Sequence, residues 1–432
     1  MSAPLSARAA GPLDALPLTL YQIAIIIFAA FLAILDGFDA FAMAFVAPVV
    51  AVAWGLNKAV LGLLLSSGFA GMALGSFLIA PLADVYGRRP IVLACLVPMA
   101  LGSLISAAAP SFAVLLGSRV LTGLGLGALI SLTTSLAAEF ANARYRAFIV
   151  AIVAQGFPVG NIACGLISAA LLKSLGWRWV FVTGGVAGIL LAVVLAVFLL
   201  ESPAYLLARR APRSRLNAVL ARLGHAPSDD IVTVHDDGQA SYRALFVPGL
   251  GAVTVGLMLI NILLMMPSFY LLSWLPQFVT SSGFTPEQAS ILAAITASSG
   301  VVGGLAIGAL AVSVRPVVLA AATMVLAGIF IAVVGAAPPD LTAMTLAAMA
   351  FGVCLAGATG VLYALMAEAF PPLARTSGMG LVLGAGRIAG AVGPALAGGL
   401  FLAGLPRAEV SAMFAVGPVM AGVILLGLKA RG

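Results

Sequence analysis

A chain of 432 residues that is 63% hydrophobic and only 8% charged is not a water-soluble globular protein, because soluble domains carry about 25% charged residues. Its 48 glycines and 24 prolines suit helices that pack closely and break locally inside a bilayer. The surplus of 21 basic over 14 acidic residues would fit a nucleic-acid binder, but the placement of the basic residues assigns it to membrane topology instead. Residues 1–17 form a polar lead with Arg8 and Asp14. Six apolar segments follow, at roughly 21–52, 59–82, 90–109, 111–138, 147–172 and 177–200. A polar stretch at 201–247 interrupts them, and six more run at roughly 248–280, 287–312, 315–336, 341–369, 374–403 and 408–429. Each has the ~20 residues that a helix needs to cross a bilayer. The first is too long for a cleavable signal peptide and lacks an evident cleavage site, so it is expected to be a permanent span.

An inside N-terminus puts 15 of the 21 basic residues on the cytoplasmic side: Arg8, Arg88, Arg89, Arg144, Arg146, Arg209, Arg210, Arg213, Arg215, Arg222, Arg243, Arg315, Arg375, Lys429 and Arg431. Lys58, Lys173, Arg178 and Arg407 fall outside, and Arg119 and Arg387 lie within spans. This asymmetry predicts cytoplasmic N- and C-termini and excludes nucleic acid as a partner.

The first span contains Ile34-Leu-Asp36-Gly37-Phe38-Asp39-Ala-Phe41. Each carboxylate there costs ~2.5–3.5 kcal/mol on insertion scales. No other acidic residue sits well inside an apolar run. Asp36 and Asp39 are three apart and share one helix face, and Gly37 between them admits a close backbone or ligand. The pair reads as a proton or ion site in a transporter, the alternative being helix capping or packing. Phe38, Phe41 and Phe45 form a stripe nearly opposite the aspartates, expected to serve helix packing or lipid contact.

Between spans two and three the chain reads Gly75-Ser-Phe-Leu-Ile-Ala-Pro-Leu-Ala-Asp84-Val-Tyr-Gly87-Arg88-Arg89-Pro90. Gly87 permits a tight turn, and Asp84 can pair with an arginine and with a helix N-terminus. The related stretch Gly304 to Pro316 lacks the Asp and is shorter. Span four reads Arg119-Val-Leu-Thr-Gly123-Leu-Gly125-Leu-Gly127, which puts the arginine on a small-residue face. No strand or downstream acid supports a dinucleotide fingerprint there. Span five carries Gln155-Gly-Phe-Pro158-Val-Gly160-Asn161, and Glu201-Ser202-Pro203 follows span six. Cys95, Cys164 and Cys354 lie in apolar segments without metal spacing. His225 and His235 lie in the polar stretch, where a solvated role is expected. The halves repeat: Glu139 ends span four with Arg146 seven residues on, and Glu368 ends span ten with Arg375 seven residues on, both pairs offset by 229. Such a duplication sets a substrate path at the interface of two bundles.

The loop from Gly75 to Pro90, the second motif at Arg119 and the Glu201-Ser202-Pro203 pattern closely resemble the major facilitator superfamily. The paired first-span aspartates, Ser273-Trp274-Leu275-Pro276 in span seven and Arg387 in span eleven look like its aromatic acid:proton symporter family. The resemblance implies an all-α membrane protein of twelve transmembrane helices in two pseudo-symmetric six-helix bundles, divided as 1–200, a cytoplasmic linker 201–247, and 248–432. It also implies functional importance for Asp36, Asp39, Asp84, Arg119, Glu139, Arg375 and Arg387. Span five lacks the Gly-Pro motif of drug/proton antiporters, although Gly393-Pro394 occurs in span eleven, so efflux is disfavoured.

At ~1.5 Å per residue, Arg119 lies roughly 12 Å below the outer end of span four, and Asp36 and Asp39 roughly 22–27 Å above the inner end of span one. Arg119 is therefore expected to pair with one aspartate, so that making and breaking the pair couples protonation to conformation. Proton coupling is assigned to Asp36, Asp39, Arg119 and Glu139. Arg387, near midplane, is assigned to a substrate carboxylate, which a guanidinium matches bidentately; a structural arginine held by carbonyls is the alternative. Tyr270 and Trp274, between Pro267 and Pro276 that should distort the helix, form a candidate aromatic wall with Tyr363, and Gln155 completes the substrate set; interfacial anchoring is the rival for the aromatics. Asp84, Gly87, Arg88, Arg89 and Arg375 form the expected conformational gate. No nucleophile–base pair or metal cluster is visible in the spans, so neither an enzyme nor a metal or cofactor is expected, and a receptor or scaffold would not need these buried charges. The expected function is import of an aromatic acid anion with protons by a monomer in the inner (plasma) membrane. The alternatives are another small organic anion, a sugar-like solute, or drug/proton antiport.

Overall fold

The structure, a computed structural model, describes residues 13–14, 16–226, 245–247, 250–371 and 375–429. Arg8, His235, Arg243, Arg431 and most of the linker's second part lie outside the described residues. Twelve helices are long and apolar enough to cross a membrane. They are α1 (Leu20–Trp54), α2 (Lys58–Leu78), α3 (Arg88–Ala108), α4 (Phe112–Phe140), α5 (Arg146–Ser174) and α6 (Arg178–Phe198). After the linker come α7 (Leu250–Ser281), α8 (Pro286–Leu310), α9 (Pro316–Ala336), α10 (Leu341–Ala369), α11 (Arg375–Leu402) and α12 (Arg407–Lys429). Every expected span is present, and among the described residues there is no strand.

Local signals set the boundaries. Thr19 and Gln22 form a capping box at the start of α1, and Gly55 ends that helix with φ 59°. Thr285 with Gln288 does the same for α8, and Asp340 caps α10. Helix α5 parts at Gln155. The cause is Pro158, which has no N–H for the carbonyl of Ala154 four residues earlier. The expected distortion of α7 does not take the form of a break, since the helix runs through Pro267 and Pro276.

The two halves pack alike. In the first, α1 packs on α5, α2 on α4, and α3 on both α4 and α6; in the second, α7 packs on α11, α8 on α10, and α9 on both α10 and α12. The boundary obeys the same symmetry: α2 meets α11, and α5 meets α8. Bilayer tails give helices no hydrophobic reason to associate, so close backbone approach is the main packing device. Gly71 and Gly75 of α2 face the carbonyls of Val120 and Leu124, while Gly123 and Gly127 of α4 face those of Gly68 and Met72. Across the boundary, Gly62 lies on Pro394 and Gly398, and Gly165 on Ser290 and Ala294. The boundary contacts at Gly62 and Gly165 sit toward the helix ends away from Arg88 and Arg146.

Short helices Pro203–Ala208 and Arg213–Arg222 follow α6. Tyr205 Oη and Arg209 Nη2 both donate to the Val85 carbonyl, at 2.9 and 2.8 Å. His225 is not the solvated loop residue expected. It is buried with Nε2 3.0 Å from Gln22 Oε1 at the start of α1, and desolvation holds its imidazole below the ordinary range.

Gly37 tests the packing argument, because a Cβ there would lie 1.9 Å from the Phe157 carbonyl, while one at Gly117 meets nothing within 4 Å. Gly37→Ala should lower the stability of the detergent-solubilised protein by about 1–3 kcal/mol and Gly117→Ala should leave it unchanged. Equal thermal midpoints for the two variants would count against close packing at Gly37.

Candidate functional site

The charged interior begins with Asp39 and Arg119, both fully buried. Asp39 Oδ1 accepts a 2.7 Å hydrogen bond from Ser103 Oγ of α3 and lies 4.0 Å from Arg119 Nη1. Arg119 Nη2 also donates to the Asp39 main-chain carbonyl. The guanidinium stands 5.2 Å from the ring centre of Phe181 on α6, and Gly184 leaves room for the carboxylate, since a Cβ there would be 2.7 Å from Oδ1. Four helices of the first half thus converge on one ion pair, and the expected pairing of Arg119 with an aspartate is present.

Asp36 is equally buried, but neither of its oxygens has a hydrogen-bond partner. Among the charges around it Arg387 acts most strongly and Asp39 next. Arg387 reaches across the boundary between the halves, where Nη1 donates to Ser76 Oγ of α2 and, at 3.3 Å, to the Gly127 carbonyl of α4. Ser76 Oγ is itself 2.7 Å from that carbonyl. Arg387 also acts on Tyr363 of α10, which keeps 38% of its surface accessible. Arg387, Asp36 and Tyr363 are therefore brought toward one central region.

Three other sequence assignments are not brought there. Tyr270 and Trp274 are buried inside the second half. Tyr270 Oη is 2.7 Å from Ser411 Oγ and its ring stacks on Phe414 at 4.2 Å, while Trp274 Nε1 donates to the Pro394 carbonyl at 3.1 Å and its ring lies 4.8 Å from Phe401. They neither line the boundary nor sit at a lipid interface. The reason is rotation about α7: each residue turns ~100°, and it is Phe269 that faces the other half. Gln155 is exposed at the α5 joint and is not held to the charged cluster.

The aromatic surface at the boundary is a different set. Phe41 lies 6.3 Å from Phe269, 5.9 Å from Phe69 and 5.8 Å from Phe157, ring centre to ring centre. Phe38, Phe41 and Phe45 are all buried, so the stripe serves packing and not lipid contact. Phe69, Phe157 and Phe269 carried no sequence signal, because phenylalanine is unremarked in an apolar span. Ser76 stood in the quoted loop motif without an assigned role.

Glu139 belongs to a second cluster, twenty residues from Arg119 along α4, or ~30 Å. Arg88 pairs with Asp84 at 2.8 Å and with Glu139 at 3.1 Å. The acid at the N-terminus of α3 is Glu201, not Asp84: its Oε1 accepts from the Arg88 main-chain N–H at 2.9 Å. Gly87, at φ 110°, makes this possible, since a Cβ would lie 2.3 Å from Glu201 Oε2. Arg89 Nη2 donates to the Ala196 carbonyl at 2.7 Å. All these partners lie in the first half except Glu201, the first residue of the linker; none lies in the second half. The side chain of Arg375 lies outside the described residues. In the second half, Glu368 lines a cavity of about 280 Å³ with Gly304, Gly308 and Pro316.

Residues 29–337 match the family model of the Major Facilitator Superfamily. The chain belongs to the major facilitator superfamily. It is therefore a multi-pass membrane transporter, and its relatives carry aromatic acids. The transporter is 32% identical to the 4-hydroxybenzoate transporter PcaK of Pseudomonas aeruginosa over 88% of this chain and 86% of that one. It is 31% identical to the gallate transporter of Pseudomonas putida over 91% and 89%, and 29% identical to the 3-(3-hydroxy-phenyl)propionate transporter of Escherichia coli over 92% of each. Among solved structures, the D-xylose-proton symporter superposes with a TM-score of 0.74 at 16% identity, covering 94% of this chain and 97% of that one. A bacterial homolog to the human lysosomal transporter Spinster, inward-facing and occupied, gives 0.73 at 19%, covering 96% and 98%. These two likenesses establish the fold. The sequence resemblance to the superfamily and its aromatic-acid branch is borne out by the relatives.

The two aspartates differ in partners, and this yields a stability test. Asp39→Asn leaves Arg119 buried and unpaired, a loss of ~3–5 kcal/mol. Asp36→Asn removes the anion that acts on Arg387, but that guanidinium still donates to Ser76 Oγ and to the Gly127 carbonyl, so the loss should be clearly smaller. Thermal unfolding of both purified variants at neutral pH measures the contrast, and equal losses would refute the division.

Proposed function

We propose that this transporter imports an aromatic carboxylate together with protons, by alternating access of its two halves. The observation that carries the reading is Asp36: a fully buried carboxylate without a hydrogen-bond partner, acted on by an arginine from the opposite half. The names of the relatives support the substrate class. An ionised Asp36 and a substrate carboxylate compete for Arg387 and repel each other. A proton on Asp36 removes the rival anion, and the substrate then takes the guanidinium in place of Ser76 and Gly127. Binding of proton and substrate is thereby coupled at one cation. Asp39 and Arg119 hold α1 against α4 and respond to the charge of Asp36. Tyr363 stands beside the substrate's carboxylate end.

Asp84, Gly87, Arg88, Arg89 and Arg375 form the gate at the arginine-rich end, and Glu139 and Glu201 join that gate. With both termini cytoplasmic, as the basic residues suggest, the close approaches at the far end correspond to an outside-closed, inward-facing state. One chain holds the whole path, so a monomer in the inner membrane suffices.

The transport reading is tested in proteoliposomes. Wild type should accumulate 4-hydroxybenzoate when the donor side is acidified. Asp36→Asn should abolish that accumulation and spare exchange of bound substrate across the membrane. Undiminished accumulation by this variant would remove Asp36 from proton coupling.

Arg387 gives a second test. Lysine lacks the planar fork, so Arg387→Lys should weaken 4-hydroxybenzoate binding about tenfold, or ~1.4 kcal/mol, and weaken 4-hydroxybenzamide much less. Equal losses for acid and amide would assign Arg387 to the conformational cycle alone.

A further inference from the structure

Phe41 of α1 and Phe269 of α7 face each other across the boundary with ring planes 6° from parallel. Their centres are 6.3 Å apart. Aromatic carbons in contact sit at roughly 3.5–4.0 Å, so two centred faces holding a planar guest need roughly 7–8 Å. At 6.3 Å the two rings fall within the ~4.5–7 Å range of offset aromatic pairs, so a guest ring between their faces needs the two halves to part further. Phe69 closes one side edge-on, 4.7 Å from Phe269 at 66°, and Phe157 lies edge-on to Phe41 at 65°. Phe157 and Phe269 keep partial exposure although they stand between the halves.

The position relative to charge is as informative as the geometry. Phe269 rests on Gly390 of α11, where a Cβ would meet its ring at 2.8 Å. Arg387 is three residues away on the same helix, ~4.5 Å along the axis. Asp36 is five residues from Phe41 on α1, ~7.5 Å. Measured along the helix axes only, the charged residue and the aromatic one come in the same order on both sides of the boundary, although Asp36 and Phe41 stand on different faces of α1. An arylcarboxylate has the same order, with its carboxylate carbon bonded directly to the ring.

We propose that Phe41 and Phe269 are the subsite for the substrate's aromatic ring, one face from each half, with Phe69 and Phe157 closing its edges. The assignment rests on the carboxylate reading of Arg387. A ring held this way touches both halves at once, so the flat substrate draws them together around itself. A saturated ring is thicker and has no π face, and it fits the slot poorly. Specificity for aromatic over alicyclic acids then resides in two phenylalanines and not in the arginine.

The test compares 4-hydroxybenzoate with trans-4-hydroxycyclohexanecarboxylate, which carries the same two functional groups on a saturated ring. Calorimetry on the purified full chain in lipid nanodiscs should give wild type a preference of roughly tenfold for the aromatic acid. Phe269→Leu and Phe41→Leu keep apolar bulk without a ring face. Each should bring the preference close to unity while changing affinity for the saturated acid by less than about threefold. Phe269→Tyr restores a ring and should restore the preference. A preference that survives both leucine substitutions overturns the slot and leaves the carboxylate reading standing. Equal loss of both acids in folded, monodisperse variants also overturns it, because the rings then serve only packing. Failure of wild type to bind either acid overturns the slot and the carboxylate reading together.

Discussion

A charge in the bilayer interior must find an opposite charge or a set of dipoles, and the Asp39–Arg119 pair is where this chain meets that demand. The pair recruits α1, α3, α4 and α6 through Asp39, Ser103, Arg119 and Phe181. With α1 held in that rotation, Asp36 is also buried, without a hydrogen-bond partner of its own. Gly37 between the two aspartates brings α1 onto the Phe157 carbonyl of α5. One ion pair therefore sets the rotation of the helix on which the central site depends.

Glycine does the rest of the positioning. The contacts between α2 and α4 are backbone against backbone, which brings the two helices close together. The boundary uses the same device more sparingly, with Gly62 against Gly398 where α2 meets α11 and Gly165 against Ser290 and Ala294 where α5 meets α8. Surfaces without large interlocking side chains separate with little side-chain rearrangement, as alternation between two states requires. Larger groups bridge the boundary nearer the middle, where Arg387 meets Ser76 and Phe41 meets Phe269. Those are the contacts that a ligand between the halves would perturb.

The twelve spans were legible because bilayer thickness fixes helix length, and the Arg119 pairing because depth along two helices can be counted. Facing was harder to read. Helices such as α7 are apolar all round, so no stripe reveals which side meets the other half. Tyr270 and Trp274 stood out chemically, while Phe269 beside them did not, and a single ~100° step separates an internal packing residue from a boundary one. Glu139 lies at the helix end, where the fold pairs it with Arg88, a pairing that its place in the sequence does not reveal. Glu201 was visible in its motif, but only the fold brings it to the amide of Arg88.

On the coupling proposed above, the electrostatics of the centre bear on why a transporter of acids would keep a carboxylate without a hydrogen-bond partner. A site built only to bind an anion would gain from removing Asp36, since that group repels the cargo and competes for Arg387. A site built to couple two gradients gains from retaining it. Linkage is reciprocal: if a proton on Asp36 strengthens carboxylate binding by some factor, the bound carboxylate strengthens proton binding by the same factor. Only the empty state and the doubly loaded state then leave Arg387 with one anion to satisfy, Asp36 in the first and the cargo in the second. The singly loaded states carry either two anions for one cation or a cation with no anion, and both are costly in a low dielectric. Penalising half-loaded states is what prevents a symporter from leaking protons or cargo, and under the proposed coupling Asp36 and Arg387, from opposite halves, would supply the penalty.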